Sequence, residues 1–246
     1  MSSVSPNELD RLKAAFLAII SHELRTPLTE IIAAASILGD GYLGELSNDQ
    51  RHYLEMIENS ADHLNKLVHD LLAFAQLQAD VVEIFAEPTS LNQLALASID
   101  LYRGQMQSKN LQLIQQLAPD LPPISIDSVK LLRVFSNLLS NGVNFTREGG
   151  RIMVRTRAAE DGQVFEVADT GIGIAQEKQA HLFESFYQAQ DPLTRERGGL
   201  GIGLAYARRI VEAHGGHITF ESVAGAGSLF SVWLPAHVAD AGSPVE

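Results

Sequence analysis

The most informative stretch of the sequence is Gly198-Gly199-Leu200-Gly201-Ile202-Gly203-Leu204, in which four glycines directly precede a helical pattern. Glycines allow backbone N–H groups to approach a polyphosphate, and a helix N-terminus adds partial positive charge. The polar stretch before the glycines, 188–197, predicts a mobile lid over such a ligand. A flexible linker is the alternative, and the strong helical pattern that follows makes it the weaker one.

A second glycine motif, Asp169-Thr170-Gly171-Ile172-Gly173-Ile174, lies upstream and follows a strand-like stretch. It is not a dinucleotide-binding loop, because Gln176 stands where that loop needs a third glycine or alanine. The carboxylate of Asp169 would repel phosphates, so we expect it to accept a hydrogen bond from the amino group of a base. A plain turn explains the two glycines equally well.

A pair of amides, Asn137 and Asn141, lies further upstream on a predicted helix. The spacing of four places both side chains on one helix face. An amide oxygen is a hard, neutral ligand, suited to a Mg²⁺ ion that keeps most of its waters. Alternatively, the pair only forms surface or capping hydrogen bonds, since Asn is a weak helix former.

The C-terminal half as a whole predicts an α+β layer, with helices on one face of a mixed sheet. Alternating stretches predict the strands, and Asp127 is a plausible N-cap for the helix that carries the two amides. The predicted helices are Leu91–Lys109, Asp127–Phe145 and Leu204–His214, and the predicted strands are Leu111–Leu117, Arg151–Arg157, Val164–Ala168, His217–Val223 and Ser228–Leu234.

The N-terminal half predicts a hairpin of two long antiparallel helices. Apolar residues at helical spacing form one stripe on the first helix, and a capping box of Ser47 and Gln50 begins the second. Two helices alone cannot cover a stripe that wide, so we expect a symmetric dimer that closes a four-helix bundle. The stripes comprise Leu9, Leu12, Phe16, Ile20, Leu24, Pro27, Ile31, Ala34 and Leu38, then Leu54, Ile57, Ala61, Leu64, Leu67, Val68, Leu71 and Leu72.

His22 lies about 160° from the middle of the first stripe, so its side chain is expected to face solvent. A neutral imidazole is nucleophilic, and Glu23 beside it can accept the proton from the second ring nitrogen. Pro27 removes a backbone donor and should bend the helix nearby. An ordinary surface histidine is the alternative for a lone case, and the other seven histidines are interpreted as surface groups.

Composition narrows the class of protein. The 246 residues carry a formal net charge of −12, which makes nucleic acid and an anionic membrane surface unlikely partners. No cysteine is present, so disulfides, zinc fingers and thiol nucleophiles are excluded. The longest apolar run, 14–20, is far short of the roughly 20 residues that span a bilayer, and the N-terminus has no signal pattern. We therefore expect a soluble chain, or the soluble part of a longer one.

A further motif, Phe183-Glu184-Ser185-Phe186-Tyr187, indicates by itself only an amphipathic turn. Together with the other four motifs, in this order and at these separations, it resembles the catalytic core of a sensor histidine kinase over about residues 8–236. The resemblance implies a dimerisation and phosphotransfer hairpin at 1–82, a hinge at 83–90, an ATP-binding domain at 91–236 and a tail at 237–246. That domain would have the Bergerat-type α/β sandwich shared with gyrase-type ATPases.

The resemblance also implies a role for each motif. His22 resembles the phosphoacceptor, Glu23 its base, and Thr26 the residue that orients water when such proteins dephosphorylate their partner. Asn141 resembles the Mg²⁺ ligand, with Asn137 beside it, and Asp169 the residue that binds the adenine amino group. The remaining nucleotide-binding positions implied by the resemblance are Gly171, Gly173, Phe186, Arg197, Gly199, Gly201, Gly203 and Leu204.

The expected function is that of an ATP-dependent autokinase that phosphorylates His22 and passes the phosphoryl group to a response-regulator aspartate. Asn144 and Gln188 replace a lysine and an arginine that are common in the family, which leaves Arg195 and Arg197 as substitute cations for the γ-phosphate. One alternative is an ATP hydrolase of the same fold, although neutral Asn137 stands where those relatives place a glutamate base. A non-enzymatic scaffold is another. No sensor segment is recognised, so the input signal is not predicted. The resemblance implies a cytoplasmic location, either of the chain alone or as the cytoplasmic part of a longer, membrane-bound sensor.

Overall fold

The computed structural model describes residues 24, 26–40, 44–77, 82–188 and 200–236. The chain divides into two compact units, one formed by 1–81 with 190–203 and the other by 82–189 with 204–246. Within the described ranges, no helix combines the length and apolar character needed to cross a membrane.

The first unit contains a helical hairpin. Helix α1 covers residues 26–39, and helix α2 covers Asn48–Leu77. The predicted capping box at the start of α2 is confirmed, because the Gln50 N–H donates to Ser47 Oγ (3.2 Å) and the Ser47 N–H donates to Gln50 Oε1 (2.9 Å). A Cβ on Gly39 would lie 3.4 Å from Leu54 Cδ2, so the end of α1 lies against the beginning of α2.

Among the described residues, the hairpin buries part of the predicted stripe of α2, but the predicted stripe of α1 is wrong for the buried face. The buried positions repeat every seven residues: Leu54, Ala61 and Val68 belong to the predicted stripe of α2, whereas Leu28 and Ala35 on α1 lie outside the stripe predicted there. Large apolar residues of the predicted stripes remain between 41% and 48% exposed, namely Leu24, Ile31, Leu38, Ile57 and Leu64. Two packed helices bury only the residues that face each other, so one chain leaves most of the stripe of α1 uncovered.

The second unit is an α/β layer. Its elements in chain order are β1 (Glu87–Thr89), α3 (Leu91–Ser108), β2 (Gln112–Leu117), β3 (Ile124–Ile126), α4 (Ser128–Phe145), β4 (Arg151–Ala159), β5 (Gly162–Asp169), α5 (Gln176–Gln179), α6 (Gly203–Ala213), β6 (His217–Val223) and β7 (Gly227–Pro235). Five of the strands form a sheet with the order β2-β4-β5-β7-β6, in which β2 and β4 are parallel and the other neighbours are antiparallel. Helices α3 and α4 pack against each other and against this sheet.

The core of this unit lies between α4 and the middle of the sheet. The Phe135 ring of α4 stacks on the Phe165 ring of β5, with centroids 3.6 Å apart. Alternate residues of β4, such as Ile152 and Val154, are fully buried, whereas their neighbours are partly exposed, as expected for a sheet covered on one face. Asp127 caps α4 as predicted, because its side chain accepts the Lys130 N–H.

Part of the segment predicted as a hinge is a strand. Residues Glu87–Thr89 form β1, which pairs antiparallel with β3, and Ser90 caps α3 by accepting the Gln93 N–H. The pairing makes residues 87–90 part of the second unit, so within the predicted hinge these residues are structured as strand and helix cap. Sequence patterns miss strands of three residues because they contain too few alternating positions.

The interpretation of all remaining histidines as surface groups is wrong for His214. This side chain is fully buried, and its Nδ1–H donates to the Ile210 carbonyl (2.7 Å) while Nε2 accepts the Asp127 N–H (3.0 Å). A neutral imidazole can donate at one nitrogen and accept at the other, which lets it connect two backbone groups inside the core.

Candidate functional site

The two amides predicted on one helix face lie in the second half of α4. Asn137 and Asn141 are both half-buried. The next residue, Gly142, packs against the sheet, since a Cβ there would lie 3.3 Å from Ile152 Cδ1 and 3.7 Å from Asp169 Cβ. Helix α4 thus lies close to the end of β5 at Gly142, and the neighbouring Asn141 lies near Asp169.

Asp169 is the last residue of β5 and is half-buried. Its Oδ1 accepts the Gly171 N–H at 2.7 Å, and the Ser228 backbone also donates to the carboxylate. Burial raises the pKa of Asp169 above its ordinary value, while these two backbone hydrogen bonds act in the opposite direction. A carboxylate has about four lone-pair sites, so Asp169 retains acceptor capacity for a ligand.

The loop after Asp169 requires glycine at both predicted positions. A Cβ on Gly171 would lie 2.5 Å from the Phe145 carbonyl oxygen, and the Ile172 N–H donates to that same oxygen at 3.2 Å. Gly173 has φ +61°, and a Cβ there would lie 1.9 Å from the Val223 carbonyl oxygen. The loop therefore lies directly against backbone on both sides, an arrangement that only glycine permits.

Three residues that sequence reasoning missed support this loop from the β6–β7 side and from α5. Gly227 has φ +102°, and a Cβ there would lie 2.0 Å from the Asp169 carbonyl oxygen. Ser222 Oγ accepts the Ile174 N–H at 2.9 Å, and Gln179 Nε2 donates to the Ile174 carbonyl at 3.0 Å. Only Gly227, in the Gly225-Ala226-Gly227 turn, had a signal in the sequence.

Helices α4 and α6 run antiparallel beside each other. The Arg133 guanidinium lies 4.5 Å from the centre of the Tyr206 ring, and the backbone of Asp127 contacts His214 at the opposite end of α6. The C-terminal end of α6 is therefore next to the beginning of α4, and the N-terminal part of α6 is next to later residues of α4. The beginning of α6, with Leu204, consequently lies at the end of the layer that carries the two amides and the loop after Asp169.

The other site residues predicted from the sequence are exposed, lie in a bend, begin a helix or fall outside the described residues. Phe186 is 54% exposed and has φ +67°, whereas the Phe183 ring contacts the Phe220 ring at 5.9 Å between centroids. Gly201 has φ +75°, and Gly203 begins α6. Thr26 is exposed on α1. The predicted residues His22, Glu23, Arg195, Arg197 and Gly199, together with the tail at 237–246, lie outside the described residues.

The donor set near Asn141 fits an ion that brings its own ligands. Among the described residues, no group of three or more histidine, cysteine, aspartate or glutamate side chains could hold a metal. One or two amide oxygens suit a hard cation such as Mg²⁺, which keeps several waters and binds substrate phosphates rather than an all-protein cage.

Two family models match the chain in succession. Residues 12–80 match the His Kinase A (phospho-acceptor) domain, and residues 126–238 match the family of histidine kinase-, DNA gyrase B- and HSP90-like ATPases. Together they include the hairpin and the layer around Asn141 and Asp169.

Similar proteins belong to the same group. The circadian input-output histidine kinase CikA of Synechococcus elongatus is 40% identical over 225 residues, which cover 91% of this chain and 30% of CikA. The signal transduction histidine-protein kinase BarA of Escherichia coli is 35% identical over 228 residues, covering 91% of this chain and 24% of BarA. The chain thus spans about a third or less of the length of these curated relatives.

Among solved structures, full-length ShkA in complex with AMPPNP superposes with a TM-score of 0.71 at 31% identity. The match covers 94% of this chain and 47% of that one. The histidine kinase AdeS of Acinetobacter baumannii, at 20% identity and a TM-score of 0.59, shares the fold. The two successive domain matches, the relatives and the motif geometry together show that the chain is a catalytic core of the sensor histidine kinase family.

Proposed function

We propose that this chain is an ATP-dependent histidine autokinase of a two-component system, which phosphorylates His22 and passes the phosphoryl group to an aspartate of a response regulator. The observation that carries the nucleotide part is the convergence of three elements at one end of the layer. Gly142 places α4 beside Asp169, and the beginning of α6 lies at the same end.

The nucleotide would bind with its base towards Asp169. Asp169 accepts from the adenine amino group, and Gly171 and Gly173 allow the loop to lie flat against the pocket wall. The phosphates extend towards the beginning of α6, where the helix dipole favours negative charge, and the glycines at 199–203 are the proposed phosphate-binding residues. The ShkA structure, which contains AMPPNP, supports a nucleotide in this type of domain.

Asn141 is the proposed protein ligand of Mg²⁺, with Asn137 beside it. The ion would neutralise phosphate charge and would be completed by waters and phosphate oxygens. Because amides cannot act as general bases, this site suits transfer of the phosphoryl group to a good nucleophile better than attack by water. The residue pair therefore favours the kinase over a hydrolase of the same fold.

The hairpin would provide the phosphoacceptor. In the proposed role, His22 attacks the γ-phosphate as a neutral imidazole, the bond from the γ-phosphorus to the bridging oxygen breaks with ADP as the leaving group, and Glu23 accepts the proton from the other ring nitrogen. Thr26, which is exposed on α1, would orient water if the protein also dephosphorylates its regulator. Arg197, within the stretch 188–197, would supply a cation for the γ-phosphate.

A homodimer would cover the exposed apolar residues of the hairpin. Leu24, Ile31 and Leu38 repeat every seven residues on α1, as Ile57 and Leu64 do on α2, and all are more than 40% exposed in one chain. Burying such stripes against a second hairpin produces a four-helix bundle. Sedimentation that detected only monomers at micromolar concentration would contradict this pairing.

The experiment uses γ-labelled ATP with Mg²⁺, followed by acid and base treatment of the protein. We expect protein-bound label that is acid-labile and base-stable, as a phosphohistidine is, and we expect His22→Gln to abolish it while nucleotide affinity is unchanged. Label retained by His22→Gln would refute the phosphoacceptor assignment. Release of free phosphate without labelled protein would indicate the hydrolase, and nucleotide binding with neither would indicate a scaffold.

A further inference from the structure

Lys109, the C-cap residue of α3, directs its ammonium group at the end of a different helix. Its Nζ donates to the carbonyl oxygens of Val143 (2.6 Å), Asn144 (3.3 Å) and Thr146 (2.7 Å). These carbonyls belong to the last turn of α4 and the residue after it. An ammonium group has three N–H donors, and each of these carbonyl oxygens can accept one of them.

The end of α4 needs such a partner. The last carbonyls of a helix have no intrahelical donors and carry the negative end of the helix dipole. The last turn of α4 contains no basic residue of its own. A lysine from α3 therefore supplies the positive charge that α4 lacks, and because the ammonium is partly buried, solvent screens the interaction less than at an exposed helix end.

The same end of α4 supports the loop after Asp169. The Phe145 carbonyl lies in sequence between the carbonyls of Asn144 and Thr146, both of which accept from Lys109, and it is the carbonyl that accepts the Ile172 N–H at 3.2 Å. The Gly171 backbone lies close to that oxygen as well. The position of the loop is thus set by a carbonyl whose two neighbours are fixed by one side chain.

The backbone of Lys109 adds a further connection. Its carbonyl accepts the Gly149 N–H at 3.1 Å. The next residue, Gly150, precedes β4 and lies close to Thr170. The Arg151 N–H donates to Thr170 Oγ1 at 2.9 Å. Lys109 therefore contacts both segments against which the residues following Asp169 are placed.

We infer that Lys109 is a positioning residue for the nucleotide, which acts through the end of α4 to hold the loop of Gly171 and Ile172 in its binding position. This inference rests on the proposed ATP function. Because the loop contributes to the base pocket and not to the reacting phosphate, loss of Lys109 weakens nucleotide binding without changing the rate of phosphoryl transfer at saturating ATP.

The test compares Lys109→Met and Lys109→Arg with the wild-type full chain. Titration with AMPPNP and Mg²⁺ gives the Kd, and autophosphorylation at varied ATP gives KM and kcat. We expect Lys109→Met to raise both Kd and KM about tenfold and to leave kcat within about twofold, and we expect Lys109→Arg to restore most of the affinity. Arg103→Met is the matched control, since it removes a half-exposed positive charge from the same helix, where Arg103 pairs with the exposed Asp100 at 2.7 Å.

The outcomes separate a positioning role from a purely structural one. If Lys109→Met lowers the thermal midpoint but binds AMPPNP with wild-type affinity at a temperature where it is folded, the inference is refuted. A fall in kcat at unchanged KM would refute it too. If Lys109→Met does not fold, Lys109→Gln, which keeps one amide donor, takes its place with the same criteria. Absence of AMPPNP binding to the wild-type chain would instead contradict the proposed function itself.

Discussion

Replacement of Asp169 by Asn tests the proposed base pocket with the smallest possible change in shape. The carboxylate oxygen that accepts the Gly171 N–H at 2.7 Å has an equivalent in the Asn amide oxygen, so the local backbone contact can persist. What changes is the charge and one acceptor, which becomes an NH₂ donor. A donor facing the adenine amino group cannot form the proposed hydrogen bond.

Asp169→Asn is expected to weaken nucleotide binding and, separately, to preserve or raise the stability of the fold. Loss of a hydrogen bond to a charged acceptor costs about 2 kcal/mol, which corresponds to roughly a 30-fold weaker affinity for ATP. Burial raises the pKa of Asp169, which means that the folded state resists the negative charge. Because the folded state then binds more protons than the unfolded chain, the free energy of unfolding decreases as the pH rises above about 3.9. Asn removes that penalty, so at neutral pH the variant is expected to unfold at the same or a higher urea concentration.

The assay pairs calorimetric titration of AMPPNP and Mg²⁺ with urea unfolding of the same preparations. We expect Asp169→Asn to lose affinity and retain or gain stability, a combination typical of a residue selected for binding rather than folding. An affinity within about threefold of wild type would refute the adenine role. A large loss of stability would show that the carboxylate is needed mainly for the Gly171 and Ser228 contacts.

Two further predictions concern stability. Gly142→Ala should raise the free energy of unfolding by about 0.5–1 kcal/mol, measured by urea titration, because alanine favours the interior of a helix. The added methyl group would contact chiefly Ile152 Cδ1, at 3.3 Å, and this atom lies at the movable end of its side chain. A lower urea midpoint would show that Ile152 cannot shift. Burial lowers the pKa of His214, so the unfolded chain binds protons more readily, and stability should decrease as the pH falls below about 6.5, by at most about 1.4 kcal/mol per pH unit. His214→Gln should flatten this dependence, and an unchanged slope would show that other groups cause it.

Local sequence patterns predicted the longer helices and strands well, because each has enough residues to show a repeating apolar pattern. Helix α4 follows from an amphipathic period and an Asp cap, and the strand predicted at His217–Val223 coincides with β6. Strands β1 and β3 escaped prediction, because they are three residues long and stabilise each other only after residues about 37 apart in sequence have come together. The formation of these two strands therefore depends on tertiary contacts.

The residues of the candidate site likewise include some that the sequence could predict and some that it could not. Asp169, Gly171 and Gly173 could be predicted because carboxylates and glycines have distinctive chemistry, although the reason for the glycines, close approach of the Phe145 and Val223 carbonyls, emerges only from the structure. A lysine that caps a helix 34 residues away in sequence has no local signature. His214 was misinterpreted because a polar residue is usually exposed, and its partner, the Asp127 N–H, lies 87 residues away.

Helix α4 connects these contacts, because each of its ends is held by groups from elsewhere in the unit. At its beginning, the carboxylate of its cap Asp127 accepts the Phe85 N–H of the preceding segment (3.2 Å), and the Ser128 hydroxyl donates to the Glu87 carboxylate (3.0 Å). At its other end, Lys109 and the loop after Asp169 contact its last carbonyls. The amide pair lies between these ends on a helix whose hydrogen bonds resist stretching. The segment before β1 and the loop of the proposed nucleotide pocket therefore contact opposite ends of the same helix.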